Sequence, residues 1–252
     1  MEFIINASST ESYLHNNEKS RKTLKAIEYK KYLREFVYGG MDGSITTFAV
    51  VAGAAGANLD SAIVIVLGIA NLVADGFAMS VGSYLSSKSE KQQYQLHEDR
   101  EYWEVKHLRE SEVEELREIF KEKGFDGELL EKVVAKISEN EDHWVDMMMK
   151  HELKMIPDRR TSVAVALATF TSFILVGSIP LAVYVLDLIR PMPIDLFFTS
   201  ATFTGTAFVL IGWLKAKVTE TNSGKVILET LLLGIIAASL AYLVGDLLEG
   251  VF

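Results

Sequence analysis

The chain has 252 residues, a formal net charge of −9 and no cysteine. Without cysteine, disulfides and thiolate metal sites are excluded, so any metal site must use oxygen, imidazole or thioether ligands. Hydrophobic residues make up 49% of the chain, but they are concentrated in runs near 36–57, 61–86, 162–188, 196–214 and 226–248. Each run is about 19–27 residues long, and roughly 20 helical residues cross a hydrocarbon core of about 30 Å. Five such runs predict five transmembrane helices, because helices of this length in a soluble protein need a polar face that these lack.

The predicted elements divide the chain into 1–35, 36–86, 87–160 and 161–252. Residues 1–20 carry no basic start followed by an apolar core, so no signal peptide is expected. This segment reads as a polar tail, and residues 19–35 (KSRKTLKAIEYKKYLRE) as a basic amphipathic helix, either a solvated lead-in or one lying on anionic headgroups. Lys and Arg accumulate on the cytoplasmic side of membrane proteins. With the N-terminus inside, 24 of the 25 basic residues fall on that side, leaving only Arg190 opposite. The N-terminus and the 87–160 insert are therefore expected in the cytoplasm and the C-terminus on the far side. Asn6-Ala7-Ser8 matches a glycosylation acceptor, but this orientation makes it a chance match.

In the first span, Gly39-Gly40-Met41-Asp42-Gly43 places a carboxylate near the start of an apolar helix. A carboxylate in hydrocarbon costs at least about 2.5 kcal/mol and usually faces a polar pathway or a partner. In the second span, Asn71, Asp75 and Met79 are four apart and share one face, a stripe that packing alone explains poorly.

The insert holds 20 acidic against 14 basic residues, a balance that attracts cations and repels nucleic acid. Four helices are expected there. The first, over 88–109, continues the second span. The second starts with Ser111 as N-cap and Glu114 completing a capping box, and stops at Gly124. The third covers about 127–138 and the fourth about 141–155. Ile119, Phe120, Phe125, Leu129, Leu130, Val133, Val134, Ile137 and Trp144 promise only a small core, so metal or a partner is expected to supply stability. Pro180 should kink the third span.

Glu98, Glu101 and Glu104 recur every three residues along one helix side, and Glu112 and Glu115 repeat that spacing. Met148, Met149 and Glu152 lie within about one turn. Several oxygens with an occasional thioether suit Fe²⁺, Mn²⁺ or Zn²⁺ better than a pure oxygen cage would; a wet charged surface and methionine as core filler are the plain alternatives. Glu104 and His107 form one Glu-x-x-His pair, whereas di-iron bundles use two, so a ferroxidase is a secondary reading. A membrane-anchored iron sensor or store is another, although a pure anchor has no use for Asp42 and Met79. Hard and soft ligands both outside and inside the bilayer point to moving a divalent transition metal, iron foremost.

The runs YGGMDGSITTFAVVAGAAGA and GIANLVADGFAMSVGSYLSSKSE resemble the first two helices of the vacuolar iron transporter family, and the likeness extends over nearly the whole chain. The resemblance implies an all-α membrane protein with five transmembrane helices and a cytoplasmic helical metal-binding domain between the second and third. It implies that Asp42 and Met79 line the translocation pathway. It also implies that Glu101, Glu104, Glu112 and Glu115, with Met148, Met149 and Glu152, gather Fe²⁺. A homodimer with its pathway at the subunit interface and exchange of Fe²⁺ for protons follow from the same likeness. The membrane would be the plasma membrane in a prokaryote and the vacuolar membrane in a eukaryote. One departure stands out: many relatives carry a glutamate where this chain has Ser83, a change that bears on proton coupling or metal selectivity. Asp75 lies about 12 Å away along the same helix, too far to substitute.

Overall fold

The computed structural model describes residues 7–249, and their side chains from residue 31 onward. The described residues form nine helices and no strand. They group into two compact units: residues 1–84 with 161–252, and residues 85–160. Asn6, and with it the glycosylation match, lies outside the described residues, as do the side chains on which the amphipathic reading of 19–30 rests.

The first unit is built around helix α1 (Ala7–Gly56), which is already helical from Ala7 where a polar tail was expected. Helices α6 (Ser162–Gly177), α7 (Ile179–Ile189), α8 (Leu196–Thr219) and α9 (Ser223–Glu249) pack against it. Small residues make the close approaches possible. A Cβ at Gly43 would sit 2.6 Å from the Phe173 carbonyl oxygen of α6, and one at Gly53 would sit 3.3 Å from that of Ala241 in α9. Around these seams Phe48, Val51, Ala52, Phe173, Leu181 and Tyr184 form one buried cluster.

Helix α2 (Ser61–His107) carries residues of both units. In the first unit it contributes Val64, Ile65 and Leu72 to the buried cluster and donates a hydrogen bond from the Ser80 hydroxyl to the Ala166 carbonyl of α6 at 3.0 Å. Its opposite face, including Val66, Ile69, Val73 and Phe77, is exposed.

Among the described residues, three helices, α2, α8 and α9, are long and apolar enough to cross a membrane, and the pair α6–α7 adds a fourth span if counted as one. That pair bends by 50°, with Pro180 in the first turn of α7. Proline has no N–H to donate and its ring cannot fit inside a continuing helix, which breaks the run where the sequence predicts a kink. The buried Ser200 hydroxyl of α8 donates to the Pro180 carbonyl at 2.6 Å. Helix α1 does not reach the same apolarity, because glycine, serine, threonine and Asp42 dilute its 36–56 stretch.

The second unit comprises the last part of α2 with α3 (Arg109–Glu122), α4 (Gly127–Ser138) and α5 (Glu141–His151). Gly124 at φ +89° ends α3, and the Phe125 N–H reaches back to the Phe120 carbonyl at 3.1 Å, a left-handed glycine stop. The expected Ser111 cap is corrected. The N-cap is Leu108, without a side-chain bond, and Ser111 lies inside α3, because α2 and α3 are separated by a single residue. A side-chain cap forms instead at Asn140, which accepts from the His143 N–H at 3.1 Å. Helix α5 ends at His151 rather than near 155; Lys154 then takes a positive φ of 54°.

The core of this unit is larger than expected. Val105, Leu116, Val145, Met148 and Met149 join Phe120, Leu130, Val134 and Trp144 in one buried cluster. Leu129, expected in the core, is 58% exposed. It falls on the opposite side of α4 from Val134, five residues on, whereas Leu130 and Val134 are four apart and share the buried side. Arg109 caps the cluster by lying over the Trp144 ring, 5.0 Å from its centroid, while donating to the Ser138 carbonyl at 3.0 Å.

Candidate metal sites

In the second unit, Glu101 and Glu112 are only 3% and 4% exposed. Glu101 precedes Val105 by one turn on α2, and Glu112 precedes Leu116 by one turn on α3. Each carboxylate therefore lies on the side of its helix that packs into the core. Both Oε2 atoms are buried without a hydrogen-bond partner. A buried unpaired charge is costly, so such a group holds its proton or finds a cation. Burial, with Glu152, Glu104 and Glu115 nearby, pushes the Glu101 carboxyl up to about 7. Burial, with Glu115, Glu101, Glu104 and Glu152, does the same to Glu112. Glu152 closes α5 as its C-cap. Its carboxyl is raised by partial burial and by Glu115 and Glu104, although the residue as a whole is exposed.

Five carboxylates from α2, α3 and the end of α5 thus feel one another. They form an electrostatic cluster and not a closed ligand shell: among the described residues, no three His, Asp or Glu side chains converge closely enough to hold a metal ion. Glu104 is engaged by Arg100, whose Nε donates to it at 3.0 Å. Met148 and Met149 are fully buried in the hydrophobic cluster, so core packing is an established part of their role. Glu98 is not among the carboxylates acting on Glu101 or Glu112; it accepts from Gln95 at 3.1 Å. His107 turns away from Glu104, bonding the Trp103 carbonyl at 2.8 Å and stacking on the Trp103 ring. That geometry gives no support to a centre built on the Glu104–His107 pair.

In the first unit, Asp42 is half-buried on α1 and Asp75 is exposed on α2. Asn71 keeps its Nδ2 buried without a partner. Met79 is half-buried against the main apolar cluster. Ser83 receives the Thr169 hydroxyl at 3.3 Å. The Thr47 hydroxyl, on the same helix as Asp42, is wholly buried without a partner. Sequence reading did not single it out, because a threonine among apolar residues gives no periodic signal of its own.

A profile of the VIT family matches residues 33–246, a stretch that includes all of these candidate residues. The chain belongs to the VIT family. Among relatives, Vacuolar iron transporter 1 of Tulipa gesneriana is 29% identical over 244 residues, covering 96% of each chain. Vacuolar iron transporter 1 of Arabidopsis thaliana is 31% identical over 228 residues and 90% of each chain. Vacuolar iron transporter of Toxoplasma gondii is 34% identical over 226 residues, covering 86% of this chain and 74% of its own. These VIT-family names are those of transporters and not of enzymes, in agreement with the reading of the sequence.

Proposed function

We propose that this protein moves Fe²⁺ out of the cytoplasm across a membrane, in exchange for protons. Mn²⁺ is a second substrate, and Zn²⁺ a candidate that the ligand chemistry also admits. The observation that carries this reading is VIT-family membership, with relatives named for vacuolar iron, joined to two carboxylates, Asp42 and Asp75, within the apolar stretches of α1 and α2.

In this account α1 over 36–56 is the first of five spans and the bent α6–α7 pair is the third. The N-terminus and the insert are cytoplasmic. The insert captures metal through Glu101, Glu104, Glu112, Glu115 and Glu152, with thioether contributions from Met148 and Met149. Buried carboxylates that titrate near 7 couple metal arrival to proton release, since a ligand must be deprotonated to bind. In the membrane, Asp42 and Met79 hold a largely dehydrated ion, with Asn71 and Asp75 continuing the path. Weak mixed ligation suits transport, because an ion bound too tightly would not leave. The exposed face of α2, apolar yet carrying Asp75, supports a homodimer whose pathway lies between the subunits, since a lone carboxylate facing lipid is costly.

Uptake of Fe²⁺, Mn²⁺, Zn²⁺ and Ca²⁺ into proteoliposomes under an imposed pH gradient tests the proposal. Fe²⁺ uptake that accelerates with the gradient, with Ca²⁺ excluded, supports it. Uptake indifferent to the gradient removes proton exchange, and no Fe²⁺ uptake at all removes the transport reading.

A further inference from the structure

Helices α1, α8 and α9 line an open cavity of about 740 Å³ in the first unit. Phe48 of α1 forms its inner wall, stacked on Phe197 with ring centroids 6.1 Å apart. Phe197 also meets Tyr242 of α9 at 5.9 Å. Phe208 and Ile235 continue the walls, and nearly all of the lining is apolar. Gly205 forms part of one wall, and a Cβ there would meet nothing within 4 Å. No candidate metal residue lines this cavity.

We propose that the cavity is a lipid-binding groove that takes one acyl chain of a phospholipid. Three observations point to this occupant. First, α8 and α9 are long and apolar enough to cross a membrane, so a groove on their outer side opens onto hydrocarbon and not water. Exposed lining residues, Phe198 at 71% and Leu243 at 55%, mark that opening. Second, the lining runs from Phe197 to Phe208 on α8 and from Leu231 to Leu243 on α9. At 1.5 Å per residue these stretches are about 16–18 Å long, close to half of a hydrocarbon core of about 30 Å. The groove is therefore one leaflet deep, the reach of a single acyl chain. Third, its lining begins at Phe197, one residue after α8 begins, so one end of the groove lies at the terminus of the span, where a headgroup would sit.

The occupant would touch the helix that carries Asp42, because Phe48 follows Asp42 by six residues, about 9 Å along α1. A chain seated there fills a gap that protein side chains leave open and fixes the spacing of α1 from α8 and α9. A void in this position forfeits dispersion contacts on every lining residue.

The test uses the full-length protein in phosphatidylcholine vesicles in which the lipid carries a photoactivatable diazirine on one acyl chain. After illumination, labelled peptides are mapped by mass spectrometry, with the exposed α6 residues Leu167 and Leu175 as the reference for ordinary lipid contact. The groove peptides 197–208 and 231–243 should label at least fivefold above the α6 reference. Gly205→Leu, which projects into the groove, and Ser239→Leu on the facing helix should each bring them down to it, with α6 labelling unchanged. Groove labelling no higher than on α6 would overturn the proposal. So would labelling that survives in whichever of the two variants melts like the parent protein. Crosslinks joining two chains at 197–208 would show a second copy seated there, and that result would also overturn it. None of these readouts depends on metal transport.

Discussion

Glu101 on α2 and Glu112 on α3 are both buried, and each leaves one carboxylate oxygen without a donor while repelling the other. Folding brings together two acids that would rather stay apart. Such an arrangement is unfavourable by itself and becomes favourable when a cation is placed among the oxygens.

The first consequence is a pH dependence of unusual sign. Both groups have folded-state values near 7, above the ordinary 4.5. Between about 4.5 and 7 the folded protein therefore binds more protons than the unfolded chain, and stability falls as pH rises through that window. Without metal, in the presence of a chelator, the melting temperature of the insert's transition should drop from pH 5 to pH 7.5. Added Mn²⁺ should restore it at pH 7.5 and do little at pH 5, where the carboxyls hold protons. A metal-free melting temperature that rises over this range would contradict the account.

Replacing the acids separates stability from binding. Glu101→Gln and Glu112→Gln remove the charge while keeping the shape. Each should raise the metal-free melting temperature at pH 7.5 by a few degrees and weaken Mn²⁺ binding by at least tenfold, about 1.4 kcal/mol. Calorimetry and titration on the full-length protein read both effects. Unchanged affinity would remove that residue from the capture site.

Met148 and Met149 call for a different pair of substitutions. Both are fully buried, so Met148→Ala or Met149→Ala should cost about 2–5 kcal/mol of stability through the cavity left behind. Leucine conserves volume and should cost less than about 1.5 kcal/mol. If the thioether also touches the ion, Met149→Leu keeps the melting temperature and loses affinity. Equal affinity in the leucine variants would leave these residues with a packing role alone.

Close helix approach in the membrane unit predicts a strong effect from a small change. Gly43→Ala places a methyl group 2.6 Å from the Phe173 carbonyl oxygen. Backbone cannot yield as a flexible side chain does, so α1 and α6 must separate. The variant should melt several degrees lower in detergent, and it should also lose transport because Asp42 lies beside the displaced seam. A parental melting temperature would show that the seam tolerates the extra atom.

Much of this molecule is legible in the sequence wherever one residue type carries one physical meaning. Pro180 breaks its span, and Gly124 stops α3 through a positive φ. The limits of α4 follow from Gly127 and the apolar spacing of Leu130 and Val134. Ser111 misled because a capping box is a local pattern, and the tight α2–α3 corner left no room for an extended residue there. The core of the insert is larger than the sequence indicates, because Val105 and Leu116 are flanked by charged residues and Met148 and Met149 suit ligation as well as packing. Their burial depends on partners from three other helices. Asp42 and Asp75 are each visible on their own helix, but only tertiary packing half-buries Asp42 and leaves Asp75 exposed.

The central claim is that Asp42 serves a travelling ion, and Asp42→Ala in the full-length protein tests it most directly. Fe²⁺ uptake into proteoliposomes and Mn²⁺ binding at the insert should be measured on the same preparation. The account predicts that uptake is abolished while binding affinity stays within about twofold of the parent. Uptake that survives the substitution, in protein that binds metal and melts normally, would contradict it.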